Sequence, residues 1–170
     1  MASHYGSIAG GDAYFATRLH SDAWDNASPS DKQKALYTAT RYMDRLNYKG
    51  QKHTVYELME ANEDATDAEI RAAEASQELE FPRDADTITP ADIELACYEI
   101  AFALLDGVDP DIELENLGVQ TQSYAGVKTA YNRDQQPIEH LIHGIPSALA
   151  WRILKPYLRD GRHLRLDRVD

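Results

Sequence analysis

The chain has 170 residues, 43% of them hydrophobic, which is enough for one domain with a buried core and too short for two large ones. Its net charge of −12 reflects 29 acidic against 17 basic residues and opposes adhesion to a polyanion. No apolar run approaches the roughly 18–20 residues of a membrane span, the first residues lack a signal-peptide pattern, and the single cysteine, Cys97, excludes an intramolecular disulfide.

Near the start, Asp12 is placed to cap a short helix carrying Tyr14, Phe15 and Leu19, with Gly10-Gly11 as its lead-in and Trp24 in the connection that follows. Ser28-Pro29-Ser30-Asp31 is a strong helix start. Serine can accept a bond from an orphan N–H, proline loses nothing at the first helical position, and Asp31 suits the positive end of the dipole. Ala35, Leu36, Ala39, Tyr42, Met43 and Leu46 then share one face at a 3.6-residue period, and Gly50 lies past the end.

Thr66-Asp67-Ala68-Glu69 is a capping-box pattern opening an Ala-rich helix to Leu79, whose thin apolar face predicts a surface position. A stronger helix starts at Thr89-Pro90-Ala91-Asp92 and stops at Gly107. Ile93, Ala96, Cys97, Ile100, Ala101, Leu104 and Leu105 are in register along it, a stripe wide enough to form the core centre against the Leu36–Leu46 helix. Cys97 reads as a buried thiol within that stripe.

Beyond Gly107 the pattern changes. Asp109-Pro110 breaks the helix, Leu117, Val119 and Thr121 alternate with polar or small residues, and Val127, Thr129 and Tyr131 resume the alternation after Ala125-Gly126. This predicts a β-hairpin or long extended loop with Gly126 near its turn. Its edge would offer a docking strip through Val119, Tyr124, Gly126, Val127 and Tyr131. A last helix spans Pro146 to Lys155, with Leu149, Ala150, Ile153 and Leu154 on one face, Trp151 beside it and Pro156 as the stop. The final twelve residues, Arg159 to Asp170, would reach about 40 Å when extended. Leu164 and Leu166 alternate there with Arg165 and Asp167, which suits either a strand added to a partner or a frayed terminus.

Charge is segregated along the chain. Residues 1–56 carry a local net of +2, residues 57–115 carry −17 and residues 116–170 carry +3. Solvated helix faces are one account of the acidic middle; carboxylates lining a passage for DNA are the other.

Few residues point to chemistry. His140 and His143 fall on one helical face beside Glu139, but a zinc site needs a third ligand, so the pair reads as surface or interface. Asp109, Asp111, Glu113 and Glu115 have a spacing similar to a calcium loop, but Leu114 stands where that loop needs glycine. Tyr14, Phe15, Tyr42 and Tyr98 belong to helical apolar stripes and read as core, not as base-stacking platforms. No serine, cysteine or lysine sits in an activating motif. The expectation is a protein that is not an enzyme and takes no metal or other cofactor.

Several blocks resemble the head–tail connector (adaptor) proteins of tailed bacteriophages, some of whose relatives are labelled DnaT-like single-stranded DNA-binding proteins. The blocks are Tyr5-Gly6, Asp12-Ala13-Tyr14-Phe15, Ala23-Trp24, Ser28 to Lys32, Ala35 to Asp44, Phe81-Pro82-Arg83, Ile88-Thr89-Pro90, Ile93 to Ala101 and Gly126 to Tyr131. The acidic stretch Glu57–Glu80 and the carboxyl tail lie outside them. The resemblance implies a structural adaptor that joins the portal to a tail or nozzle protein at the head–tail junction of the virion, after synthesis in the bacterial host cytoplasm. It also implies self-assembly into a ring, a dodecamer, through which DNA passes without specific binding, and no membrane partner. The alternatives are a single-stranded DNA-binding protein and a non-virion helical interaction module.

The expected architecture is mainly α: a helical bundle with an extended hairpin-like loop and an extended C-terminal arm. Residues 1–158 would form the helical connector domain, with the acidic middle at 57–115 and the extended loop at 108–136. Residues 159–170 would form the arm, with Arg159, Arg162, Leu164, Arg165, Leu166 and Arg168 as portal-binding residues.

Overall fold

In the computed structural model the described residues are 3–116, 121–124, 127–130 and 138–159. The fold is mainly α-helical. The first helix, α1 (Ile8–Phe15), is capped by Ser7, whose side chain accepts from the Gly10 N–H. Asp12 therefore lies inside α1 and does not cap it, and Leu19 beyond its end is 83% exposed. Gly10 and Gly11 are helical as well, where a lead-in is expected. A Cβ at Gly11 would overlap the Trp24 ring, and one at Gly10 would overlap the Tyr98 hydroxyl. The two glycines let α1 lie against those aromatics, and that close approach outweighs their poor helix propensity.

Trp24 sits on a one-turn helix, α2 (Asp22–Asp25), and is fully buried. Its indole N–H donates to Asp12 Oδ1 at 2.8 Å, and Lys32 Nζ donates to the same oxygen at 2.8 Å. Helix α3 (Pro29–Met43) begins as its sequence dictates: Ser28 caps it by accepting from the Asp31 N–H, Pro29 occupies the first turn, and the Asp31 carboxylate accepts from the Ser28 hydroxyl. It ends at Met43, so Leu46 packs against the core from the following turn.

Lys52 precedes α4 (His53–Ala61) with no side-chain cap, and α5 (Asp67–Ser76) follows behind a complete Thr66–Glu69 capping box. α5 buries none of its residues and leans on α4, where Thr54 Oγ1 donates to the Ala73 carbonyl at 2.7 Å. The centre of the core is α6 (Ala91–Leu105), packed along α3 on one side and against α9 (Ala148–Leu154) on another. Leu36, Ile93, Ile100, Ile145 and Leu154 are fully buried, each contributing about 1.5–3 kcal/mol relative to exposure.

Asp109-Pro110 starts a helix as well as ending one. α7 (Pro110–Asn116) opens with Asp109 Oδ1 accepting from the Asp111 and Ile112 N–H groups. Asp111, Glu113 and Glu115 thus sit on a helix, not in a calcium-type loop. Strands β1 (Thr121–Tyr124) and β2 (Val127–Ala130) pair antiparallel, with Thr121 opposite Ala130 and Tyr124 opposite Val127. The connection at 125–126, Leu117, Val119 and Tyr131 lie outside the described residues. Helix α8 (Glu139–Ile142) leads to α9, which Ser147 caps. Ala150, Trp151 and Leu154 form the buried face of α9, and Leu149 is turned outward at 42% exposure. Pro156 falls within a 3₁₀ turn, Lys155–Tyr157. Among the described residues, no helix is long and apolar enough to cross a membrane.

Candidate functional site

Three distant segments, 47–52, 80–86 and 155–159, meet beside the start of α6. Lys49 N–H donates to Tyr157 O at 2.8 Å and Arg159 N–H to Asn47 O at 2.9 Å, with Tyr48 and Leu158 forming an antiparallel bridge between them. Arg159 also donates from Nε to Tyr48 O at 2.8 Å and from a terminal nitrogen to Gly50 O at 3.1 Å. Arg159 is therefore fastened to the body, although it is expected as the first residue of a free arm. Arg162, Leu164, Arg165, Leu166 and Arg168 lie outside the described residues.

The segment Phe81-Pro82-Arg83 closes the other side of this junction, a knot of backbone and guanidinium bonds. Arg83 donates to Lys49 O at 2.8 Å, to Gly50 O at 2.9 Å and to Glu80 Oε2 at 2.6 Å. Asp84 exchanges two bonds with Gln51, through its N–H to Gln51 O and through Oδ1 from Gln51 N–H. The Gly50 carbonyl thus receives two guanidinium groups. Gly50 has φ +70°, and a Cβ there would overlap the Asp84 carboxylate, so glycine is required on both counts. A cleft of about 300 Å³ beside the knot is lined by Lys49, Phe81, Arg83, Asp86 and Tyr157 among others.

The knot is wired to the rest of the body by a buried polar network. Tyr5 O–H donates to Asp44 at 2.6 Å and accepts from the Phe81 N–H at 3.2 Å. Tyr5 N–H donates to Thr40 Oγ1 at 3.1 Å, and Ser7 N–H donates to the Tyr98 hydroxyl at 3.1 Å. Burial holds the Tyr5 phenol well above its usual range, and burial also raises the Asp44 carboxyl although Tyr5 donates to it. Glu99 is 2% exposed; it accepts from Tyr14 O–H at 2.6 Å and pairs with Arg18 at 3.0 Å. Burial, then the Glu99 hydrogen bond, pushes the Tyr14 phenol up to about 12. One member of the acidic middle is therefore an interior group.

The remaining candidates are occupied by their own neighbours. His140 Nδ1 lies 2.7 Å from the Ile145 carbonyl, and His143 stacks on Trp151 at 4.8 Å between ring centroids. The two imidazoles therefore serve different partners and do not act as a pair. Among the described residues, no three His, Cys, Asp or Glu side chains are grouped to hold a metal ion. Burial pushes the Cys97 thiol up to about 12, so it is protonated at neutral pH. Asp84 completes the knot beside Gly50, and nothing in the sequence marks Asp84 for that place. No family model, curated protein or solved structure matches this chain.

Proposed function

We propose that this chain is a structural adaptor subunit of a tailed phage, forming a ring that joins the portal to the tail and lets DNA pass. One observation carries the reading: the residues behind the connector resemblance converge in space. Tyr5 bonds Asp44 and Phe81, Trp24 bonds Asp12, and Tyr14 bonds Glu99. A pattern that closes one hydrogen-bonded core is the signature of a fold, and here it ends in a fastened root from which residues 160–170 continue. An adaptor needs such a rigid body, and in this reading the hairpin and the tail contact the neighbours. Its place would be the head–tail junction of the virion, with a portal and a tail or nozzle protein as partners. Mixing the purified protein with a purified portal ring and imaging the product tests this. A ring seated on the portal supports it; no complex, together with submicromolar single-stranded DNA binding at physiological salt, would replace it with the DNA-binding reading.

A further inference from the structure

Seven large apolar side chains are exposed among the described residues, and they are not evenly scattered. Four of them, Ile112, Leu114, Ile138 and Ile142, belong to α7 or to α8 and its cap, where the two short helices pack on each other. Each helix buries a single residue, Pro110 in α7 and Leu141 in α8, so this corner keeps most of its apolar surface in water. A lone exposed leucine is ordinary, whereas a cluster marks an interaction surface. The α7 carboxylates Asp111, Glu113 and Glu115 beside it are exposed and enter no ion pair among the described residues. A partner for this corner must bring apolar contact together with positive charge.

One helix of the chain has such a face. α3 buries Ala35, Leu36, Ala39 and Met43 on its core side. Lys34 and Arg41, two turns apart, stand on the opposite side, and Arg45 follows in the turn after Met43; all three are exposed. Half-buried Tyr37 and Tyr42 flank them, with the Arg45 guanidinium 6.0 Å from the Tyr42 ring centroid. Among the described residues Arg41 and Arg45 enter no ion pair, and Lys34 pairs only with Asp31. Every other described helix carries at most one lysine or arginine, so only α3 can answer the corner's charge.

We propose that the α7–α8 corner of one copy docks on the outward face of α3 in a second copy, isoleucines against tyrosine rings and carboxylates against Arg41 and Arg45. Within one chain the two surfaces do not pack together: α3 lies on α6 and α1, while α7 lies on α8. Both belong to folded helices, so neither can swing across its own body to meet the other. The complement each surface lacks is therefore supplied by a neighbour, at equal concentration. Tyrosine suits this role, since its ring offers apolar area and its hydroxyl stays wet. A nucleic acid would meet the cations of α3, but it would gain nothing from the apolar corner and would be repelled by the carboxylates there. Two unlike surfaces make a heterologous contact, the type that closes rings or grows filaments. The inference does not rest on the connector reading, and the contact is measurable without portal.

The test uses full-length proteins: wild type, a face variant with Arg41→Glu and Arg45→Glu, and a corner variant with Glu113→Lys and Glu115→Lys. Sedimentation velocity across concentration is expected to show wild-type self-association that weakens with salt, and association weaker by about tenfold or more in each variant. Mixing the two variants should restore it. The reversed corner of one then meets the reversed face of the other, and the two untouched surfaces still match. Ile138→Ser with Ile142→Ser removes apolar contact without changing charge and should weaken association as well, with unchanged circular dichroism because both side chains are exposed. A wild type that stays monomeric at all concentrations, variants that associate like wild type, or a mixture that is not rescued would each overturn the proposal. A monomeric wild type whose single-stranded DNA binding is lost in the face variant would assign α3 to nucleic acid instead. Self-association without portal binding would sink the connector reading and leave this contact standing; portal binding by a strictly monomeric chain would do the reverse.

Discussion

The Tyr5–Asp44 pair shows how burial sets a side chain's chemistry. Asp44 accepts a 2.6 Å bond from Tyr5, which favours the carboxylate, but desolvation is the larger influence and its pKa is raised. A carboxyl with a raised folded pKa binds its proton more readily folded than unfolded. Its contribution to stability is therefore full below the ordinary aspartate range and is lost as pH rises through the raised value. Asp44→Asn keeps an acceptor for Tyr5 and removes this titration. The expected result is a flatter stability profile between that range and neutrality, read from urea midpoints at several pH values; an unchanged profile would show that Asp44 does not titrate there. Gly11 sets a different limit. Gly11→Ala drives a methyl into the buried Trp24 ring, which costs about 1–3 kcal/mol as overpacking, while alanine's helix propensity returns about 1 kcal/mol. A net loss of up to about 2 kcal/mol in urea unfolding is expected, and a stabilised variant would show that the α1–Trp24 contact yields.

Helices with chemical punctuation were legible from sequence, and those held only by tertiary contacts were not. Ser28-Pro29, the Thr66–Glu69 box and the long Ile93–Leu105 stripe each carry a local cause, and α3, α5 and α6 follow from them. α4 begins behind Lys52 with no cap, and it is held where Thr54 meets α5 and Lys52 reaches the Gln77 carbonyl at 2.9 Å. Its existence depends on a partner that periodicity does not reveal. Asp109-Pro110 was ambiguous because proline ends one helix and suits the first position of the next. The arm root was invisible for the same reason as α4: Arg83 and Arg159 are 76 positions apart yet share the Gly50 carbonyl. Between elements, the Arg18–Glu99 pair clamps the end of α1 to α6, with the guanidinium 4.5 Å above the Phe102 ring centroid. Arg18→Met would leave Glu99 buried without its cation. A loss of about 3 kcal/mol is expected, the low end for such a pair because Arg18 is 29% exposed and Tyr14 still donates. Adding Glu99→Gln should recover most of it, and a double variant no better than the single would show that the charge is not the cause.

At the scale of the whole molecule, the acidic middle divides into interior and surface groups, and only the surface groups can meet DNA. Glu99 is internal and Glu80 is engaged by Arg83 and Lys52, whereas Asp67 and Glu69 of α5 and Asp111 and Glu113 of α7 are among the exposed carboxylates. If these faces line a passage for DNA, as the adaptor proposal allows, replacing Asp67, Glu69, Asp111 and Glu113 with their amides should strengthen single-stranded DNA retention in a low-salt binding assay; no change would count against that placement. The tail poses the sharper question of where the folded body ends. Tyr157, Leu158 and Arg159 contribute backbone bonds to Asn47 and Lys49, a bridge to Tyr48 and three donated side-chain bonds counting that of Tyr157 to Asp92. Net hydrogen bonds contribute about 0.5–1.5 kcal/mol each, and Tyr157 also packs edge-on against Phe81 at 5.8 Å. Deleting residues 160–170 should leave helicity and the melting midpoint nearly unchanged and, under the proposed adaptor function, abolish or greatly weaken portal binding. Deleting 157–170 should cost about 2–4 kcal/mol as well, because it removes the fastening and exposes Phe81. Circular dichroism melts of the two truncations decide it. Equal melting of both would mean that the knot adds nothing to stability, and a large loss from the shorter deletion would mean that the tail belongs to the fold.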